Sequence, residues 1–165
     1  KVKLFGANIF TIASEAIEKY KKEKLIYFKS VTFQNGKEKY VNLNYNKSTN
    51  KFIIDGSSYK GETNTDSIIG SWWNHEILQA KKQISPLTGS IKDQVVQLVG
   101  NEKIILYGKS YNTNHYKLKS KDDNLPKNKK LDFDIWVNIE NNLIVKVAYS
   151  RMGSWEYRLK DFKIN

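Results

Sequence analysis

A mainly β, antiparallel fold is predicted for this 165-residue chain from three observations. The last quarter alternates with period two. Leu131, Phe133, Ile135 and Val137 interleave with Asp132, Asp134, Trp136 and Asn138. Leu143, Val145, Val147 and Tyr149 follow after Asn141-Asn142, and Trp155, Tyr157 and Leu159 after Gly153. Side chains on a strand point alternately to opposite faces, so three such runs closed by turn residues read as a meander. Second, Asn35-Gly36 sits between two alternating runs, the strongest short hairpin signal. Third, the apolar runs, such as Ile104 to Tyr107, have strand length, far short of the ~20 residues of a membrane helix.

Taken in order, Val2 to Ser14 reads as one strand with Gly6 as a bulge. Ser14 to Lys24 is open between a capped helix and a strand, because its helical apolar face would be only Ala16, Ile17 and Tyr20. Leu25 to Phe33 and Val41 to Tyr45 flank the Asn35-Gly36 turn, and Lys51 to Asp55 is a short strand ending at Gly56. Asn74 is placed to cap a short helix over His75 to Lys82, with Trp73 and Leu78 at the spacing of a hydrophobic staple. Ile91 to Val99 and Lys103 to Tyr107 read as two strands with a turn at Gly100-Asn101, and Gly108 as a break. His115 to Lys119 is a further strand, and Lys121 to Lys130 the longest loop. The sum is nine or ten strands and one helix in a single domain, residues 1–165. A twisted sheet of that many strands curls, closes or splits into layers.

Composition bounds the function classes. The chain is too apolar for a disordered segment. Net charge is +11, but of 28 basic residues only Arg151 and Arg158 are arginine. Arginine supplies the forked contacts that read bases and clamp phosphates, so nucleic acid is disfavoured as a partner. The abundance of Lys, Asn and Ile also fits an A- and T-rich codon bias. Cysteine is absent, which excludes disulfides and thiolate metal sites. Lys1 opens directly into Val2, Leu4 and Phe5, as in a processed product lacking its natural N-terminal segment.

Few residues carry candidate chemistry. His75 and His115 are far apart, without the ligand spacing a metal needs, so neither metal nor cofactor is predicted. Asp132 and Asp134 share a strand face about 7 Å apart, which suits acid–base work or, more plainly, a solvent face. Lys127, Lys129 and Lys130 lie beside Pro126 on a loop that would meet an anionic group or simply be solvated. Trp72 and Trp73 point in different directions at the helix start, one towards the core. Trp136 and Trp155 belong to the meander, as core filling or as a ligand wall. Gly108-Lys109-Ser110 lacks the upstream glycine of a phosphate loop, and no nucleophile elbow is present.

Ser71-Trp72-Trp73-Asn74, Pro86-Leu87-Thr88-Gly89 and Asp134-Ile135-Trp136, with Tyr116-Lys117-Leu118, Gly153 and Tyr157-Arg158-Leu159, carry a resemblance. Together they resemble an uncharacterised family of exported domains of Gram-negative bacteria, over nearly the whole chain. Val137 departs from the aromatic usual after Trp136. The resemblance implies a strongly curved antiparallel sheet, a half-barrel or open barrel, and turns residues 15–24 towards β. It implies a periplasmic or otherwise exported setting. By fold analogy alone it is similar to periplasmic lipoprotein carriers, which hold acyl chains.

The functional expectation is therefore a non-enzymatic domain that binds an apolar or amphipathic, lipid-like ligand on the concave face of its sheet. Trp73, Asp134, Trp136, Trp155 and Tyr157 are its candidate contacts, and Lys127, Lys129 and Lys130 its anionic-group contacts. One alternative is an interaction module of a cell-envelope assembly, with a protein partner. Another is a hydrolase of envelope polymer using Asp132 or Asp134. Leu131, Phe133, Ile135 and Val137 form the expected core row. On the opposite row Trp136 does not fit a plain solvent face.

Overall fold

The computed structural model describes residues 2–4, 7–10, 12–72, 74–127, 129–150 and 154–161. Among them are fourteen strands and one 3-10 turn. The strands are β1 (Val2–Leu4), β2 (Ala7–Phe10), β3 (Ile12–Lys21), β4 (Lys24–Gln34), β5 (Lys37–Asn46), β6 (Lys51–Gly56) and β7 (Lys60–Asn64). They continue with β8 (Ile68–Ile69), β9 (Lys82–Ile84), β10 (Ile91–Leu106), β11 (Lys109–Ser120), β12 (Asp132–Asn138), β13 (Ile144–Ser150) and β14 (Ser154–Arg158). The chain divides into two compact units, Lys1–Gly70 with Ile84–Lys92, and Ser71–Gln83 with Asp93–Asn165.

In the first unit, β3 to β7 form a five-stranded antiparallel meander, curled as a half-barrel. Asn35 and Gly36 both take positive φ at the β4–β5 turn, as an Asn-Gly hairpin requires. Residues 15–24 are strand and turn. β3 pairs with β4 from Ile12↔Gln34 to Lys21↔Lys24, and this ladder overrides the local helix propensity. Val2 to Ser14 is not one bulged strand. β1 and β2 pair with each other, and Gly6 lies outside the described residues.

One face of this sheet is filled. Phe28, Leu43 and Ile54 oppose one another across three strands, and they pack with Val41, Phe52, Ile69 and Ile84. The segment after β9 lies against the same face. Ser30 Oγ donates to the Pro86 carbonyl, and Ser58 N–H to that of Thr88 at 3.0 Å. Gly56 and Gly89 permit this approach. A Cβ on Gly56 would sit 2.6 Å from the Thr88 carbonyl oxygen, and Gly89 takes φ +77° with the Gly56 Cα 3.2 Å from its own would-be Cβ. The Thr-Gly of the sequence pattern is thus a backbone crossing that tolerates no side chain.

In the second unit the antiparallel order is β14-β13-β12-β11-β10-β9. Three sequence expectations are corrected here. The helix over His75 to Lys82 is a single 3-10 turn, His75–Leu78, and Lys82 already begins β9. Asn74 caps it as expected, accepting from Glu76 N–H at 2.9 Å. It stops because the buried Gln94 amide donates to the carbonyls of Ile77 (2.6 Å) and Ala80 (2.9 Å), which a longer helix would have used internally. Trp73, the expected staple partner, lies outside the described residues.

The turn at Gly100-Asn101 is instead a bulge within one sixteen-residue strand, β10. Leu98 opposes Tyr116 and Gly100 opposes His115, leaving Val99 as the extra residue. Gly108 does not merely break the strand. With Tyr107 it forms a two-residue hairpin turn, both at positive φ, and β11 starts at Lys109 instead of His115. In the expected core row Leu131, Ile135 and Val137 are buried, while Phe133 is half-buried.

Gly56→Ala is expected to destabilise the fold by about 1–3 kcal/mol, as an overpacked site does, because the added methyl meets backbone. Gly100→Ala meets nothing within 4 Å and is expected to stay within about 0.5 kcal/mol of wild type. Urea unfolding of both variants checks the contrast.

Candidate functional site

The two faces of β12 are both covered, each in its own way. Trp136 is 9% exposed and clusters with Leu106 and Val145, bordered by Ile104, Tyr111, Leu143 and Leu159. Strand register places His115 opposite Trp136, Lys117 opposite Asp134 and Lys119 opposite Asp132. The His115 ring stacks on the Trp136 indole at 4.5 Å between centroids and 9° between planes. From the other side, Lys146 Nζ stands 4.3 Å over the indole. The Trp136 Nε1–H donates to Glu102 Oε1.

Around this stack runs a chain of charges. His115 Nε2 lies 2.8 Å from Asp134 Oδ1, and His115 Nδ1 3.2 Å from Glu102 Oε1. Lys117 Nζ donates to Asp134 Oδ2 at 2.7 Å and to Asp132 Oδ1 at 2.8 Å. Beyond the indole, Lys146 pairs with Glu156 at 3.0 Å, and Arg158 with the same carboxylate at 2.5 Å. Glu102 reaches His115 because of the bulge at Val99. Were Val99 paired with His115 and the ladder continued without a bulge, Asn101 and Lys103 would occupy that face.

Partial burial pushes Asp134 upward, but the hydrogen bonds from Lys117 and His115 outweigh it and hold the carboxyl below its ordinary range. For Lys117 burial pulls downward, and the two aspartates outweigh it and raise the ammonium. Lys146 and then Arg158 lower Glu156. The arrangement joins neighbouring strands through their side chains, and both ring nitrogens of His115 face carboxylates. Among the described residues, no group of three or more His, Asp or Glu could hold a metal.

The opposite face carries an aromatic row. Trp72 meets Phe133 edge-on at 5.0 Å, Phe133 meets Tyr149 at 5.3 Å, and Tyr149 stacks on Tyr157 at 6.4 Å and 7°. The row passes from half-buried Trp72, Phe133 and Tyr149 to Tyr157, which is 49% exposed.

These positions divide the sequence-predicted contacts. Asp134 and Trp136 share the polar face, and Tyr157 lies on the other, since it opposes Val147, which opposes Ile135. The backbone of Trp155 pairs with Tyr149, but its side chain, like Trp73, lies outside the described residues. Lys127 and Lys129 are exposed and Lys130 half-buried, on a loop closed by donation from the backbone N–H groups of Lys129 (2.7 Å) and Lys130 (3.2 Å) to the Pro126 carbonyl. The cation over Trp136 is Lys146 instead. Sequence reasoning missed His115, Lys117 and Glu102. The alternation His115, Lys117, Lys119 against Asp132, Asp134, Trp136 held a signal for the first two.

The ionic chain sets a pH dependence. A carboxylate with a lowered folded pKa contributes stability above its unfolded pKa and loses it as pH falls through the folded value. Asp134→Asn should therefore be less stable than wild type by about 1 kcal/mol at neutral pH. The difference should close below about pH 4, where the wild-type carboxylate is also being protonated. A raised lysine works in the opposite sense, so the share held by Lys117 persists below about pH 10 and is lost as pH rises further. Urea midpoints of the two proteins measured across the acid range test this, and a pH-independent gap would count against it.

No helix among the described residues is long and apolar enough to cross a membrane. No curated protein and no solved structure matches the chain. One family does, over residues 1–160, and the chain belongs to it: a domain of unknown function, DUF6134.

Proposed function

We propose that this domain is a non-enzymatic, exported binding module of the periplasm, and that its ligand is apolar or amphipathic, of lipid type. The observation that carries this reading is the aromatic row Trp72, Phe133, Tyr149 and Tyr157, which offers a continuous apolar wall ending at solvent. The filled face of the half-barrel in the first unit leaves no comparable wall there, because Phe28, Leu43 and Ile54 already cover one another. The backbone of Trp155 pairs with that of Tyr149. Lys127, Lys129 and Lys130 would supply the cations for an anionic head group. Mass spectrometry of an organic extract of the purified protein should identify a co-purifying lipid. Tyr157→Ala should weaken binding of a fluorescent fatty acid by about fivefold or more, since an aromatic contact is worth about 1 kcal/mol. An empty extract and unchanged probe binding would sink the reading.

A second reading, an interaction module of an envelope assembly with a protein partner, is favoured by a different observation. β3 is a ten-residue edge strand, mostly exposed, with Ile17 58% accessible and Phe33 on the neighbouring strand also exposed. Such an edge is a template for strand addition. Ala16→Pro would remove an edge donor, and loss of a partner otherwise captured by the wild-type domain would support it. The hydrolase alternative fares worse on physical grounds. It needs a carboxylate of raised pKa, and Asp134 is shifted the other way.

A further inference from the structure

The β10–β11 hairpin ends in a feature that neither face of the sheet uses. Ile105 is 72% exposed and Tyr107 69% exposed, the two highest values among the large exposed hydrophobic side chains described. Between them Leu106 is buried beside Trp136, so the tip is anchored to the core through the residue that separates its two apolar ends. Tyr107 and Gly108 make the turn at φ +50° and +79°. Asn or Gly adopts that conformation at low cost, whereas a bulky aromatic residue there is strained. Turn chemistry therefore does not explain a tyrosine at this position. Ile139 adds to the same end of the sheet. It is exposed, and its N–H donates to the Asn112 carbonyl at 3.0 Å. Lys103 and Lys109 flank the apolar pair, both exposed, while Glu102 turns to the opposite face, towards His115 and Trp136, and Glu140 lies in the Ile139 turn.

We propose that this tip docks on an anionic lipid bilayer surface, with Ile105 and Tyr107 entering the interfacial layer and Lys103 and Lys109 lying at head-group level. The chemistry fits one occupant. A tyrosine has an apolar body and a polar tip suited to the membrane–water boundary. Lysine stems run along apolar surface while their ammonium groups stay in the head-group zone. The net charge of +11 draws the chain towards an anionic surface, and the hairpin supplies the apolar anchor that charge alone lacks. The site stands apart from the aromatic row, so it holds or falls without regard to the ligand proposed there.

Co-sedimentation with vesicles of phosphatidylcholine alone, and of equal parts phosphatidylcholine and phosphatidylglycerol, tests it. Wild type should bind the anionic vesicles, bind the neutral ones far less, and release at high salt. The double variant Ile105→Ser/Tyr107→Asn should bind at least about tenfold more weakly, from the loss of two apolar anchors. Tyr107→Asn alone separates binding from folding. Asn suits the turn, so this variant should unfold at higher urea than wild type and yet bind anionic vesicles more weakly. Binding by the double variant equal to wild type would overturn the proposal, leaving only diffuse attraction to the lysines. So would no binding to anionic vesicles, or equal binding to both kinds.

Discussion

Trp136 has to be buried on a face that also carries Asp132 and Asp134, and the second unit is organised around that constraint. An indole on a strand flanked by carboxylates cannot be left to a purely apolar core. Its ring is instead capped by His115 on one side and by Lys146 on the other, and its N–H is satisfied by Glu102. These partners are held in turn: the His115 ring nitrogens face Asp134 and Glu102, and Lys146 pairs with Glu156, while beside them Lys117 pairs with Asp134 and Asp132. Five strands, β10 to β14, are joined through one stack.

In the first unit the constraint is a close backbone crossing. Its curled sheet is closed over by the segment that follows β9, and the closure depends on two glycines that let backbones pass at van der Waals distance. Ser30 and Ser58 donate to carbonyls of that segment, so its backbone does not lie on an apolar surface unsatisfied. One unit thus spends its specificity on backbone packing and the other on an ionic lattice. The charges of that lattice are largely neutralised among themselves. The exposed apolar side chains include Tyr157 at the end of the aromatic row, Ile17 on β3, and Ile105 and Tyr107 at the β10–β11 tip.

Strand alternation made most of this legible. The terminal meander, the Asn35-Gly36 hairpin, the Asn74 cap and the buried row Leu131, Ile135 and Val137 all follow from local chemistry and period two. The misfit of Trp136 on a polar face was visible in the same way. The misreadings share a cause. A short helix was expected to run on through Lys82, but Gln94, distant in sequence, takes its terminal carbonyls. Gly100-Asn101 has the composition of a turn, yet a long partner strand keeps the chain extended and turns the irregularity into a bulge. Ser14 to Lys24, open between helix and strand on local propensity and turned towards β by the family resemblance, is not among them: it is strand and turn, fixed by pairing with β4.

By itself, then, the chain's order of residues determined its fold class, the faces of its terminal strands and the Asn35-Gly36 turn, because these depend on neighbours one to four positions away. Only the tertiary structure decided which residues stand beside Trp136. Glu102 is thirty-four positions from it and faces it because a single extra residue, Val99, shifts the alternation of β10 by one. Tertiary structure also separated Tyr157 from Asp134 and Trp136, placing on opposite faces residues that the sequence suggested as one site. Register across strands is set by bulges and by long-range pairing, and neither is encoded in the local pattern of either strand alone.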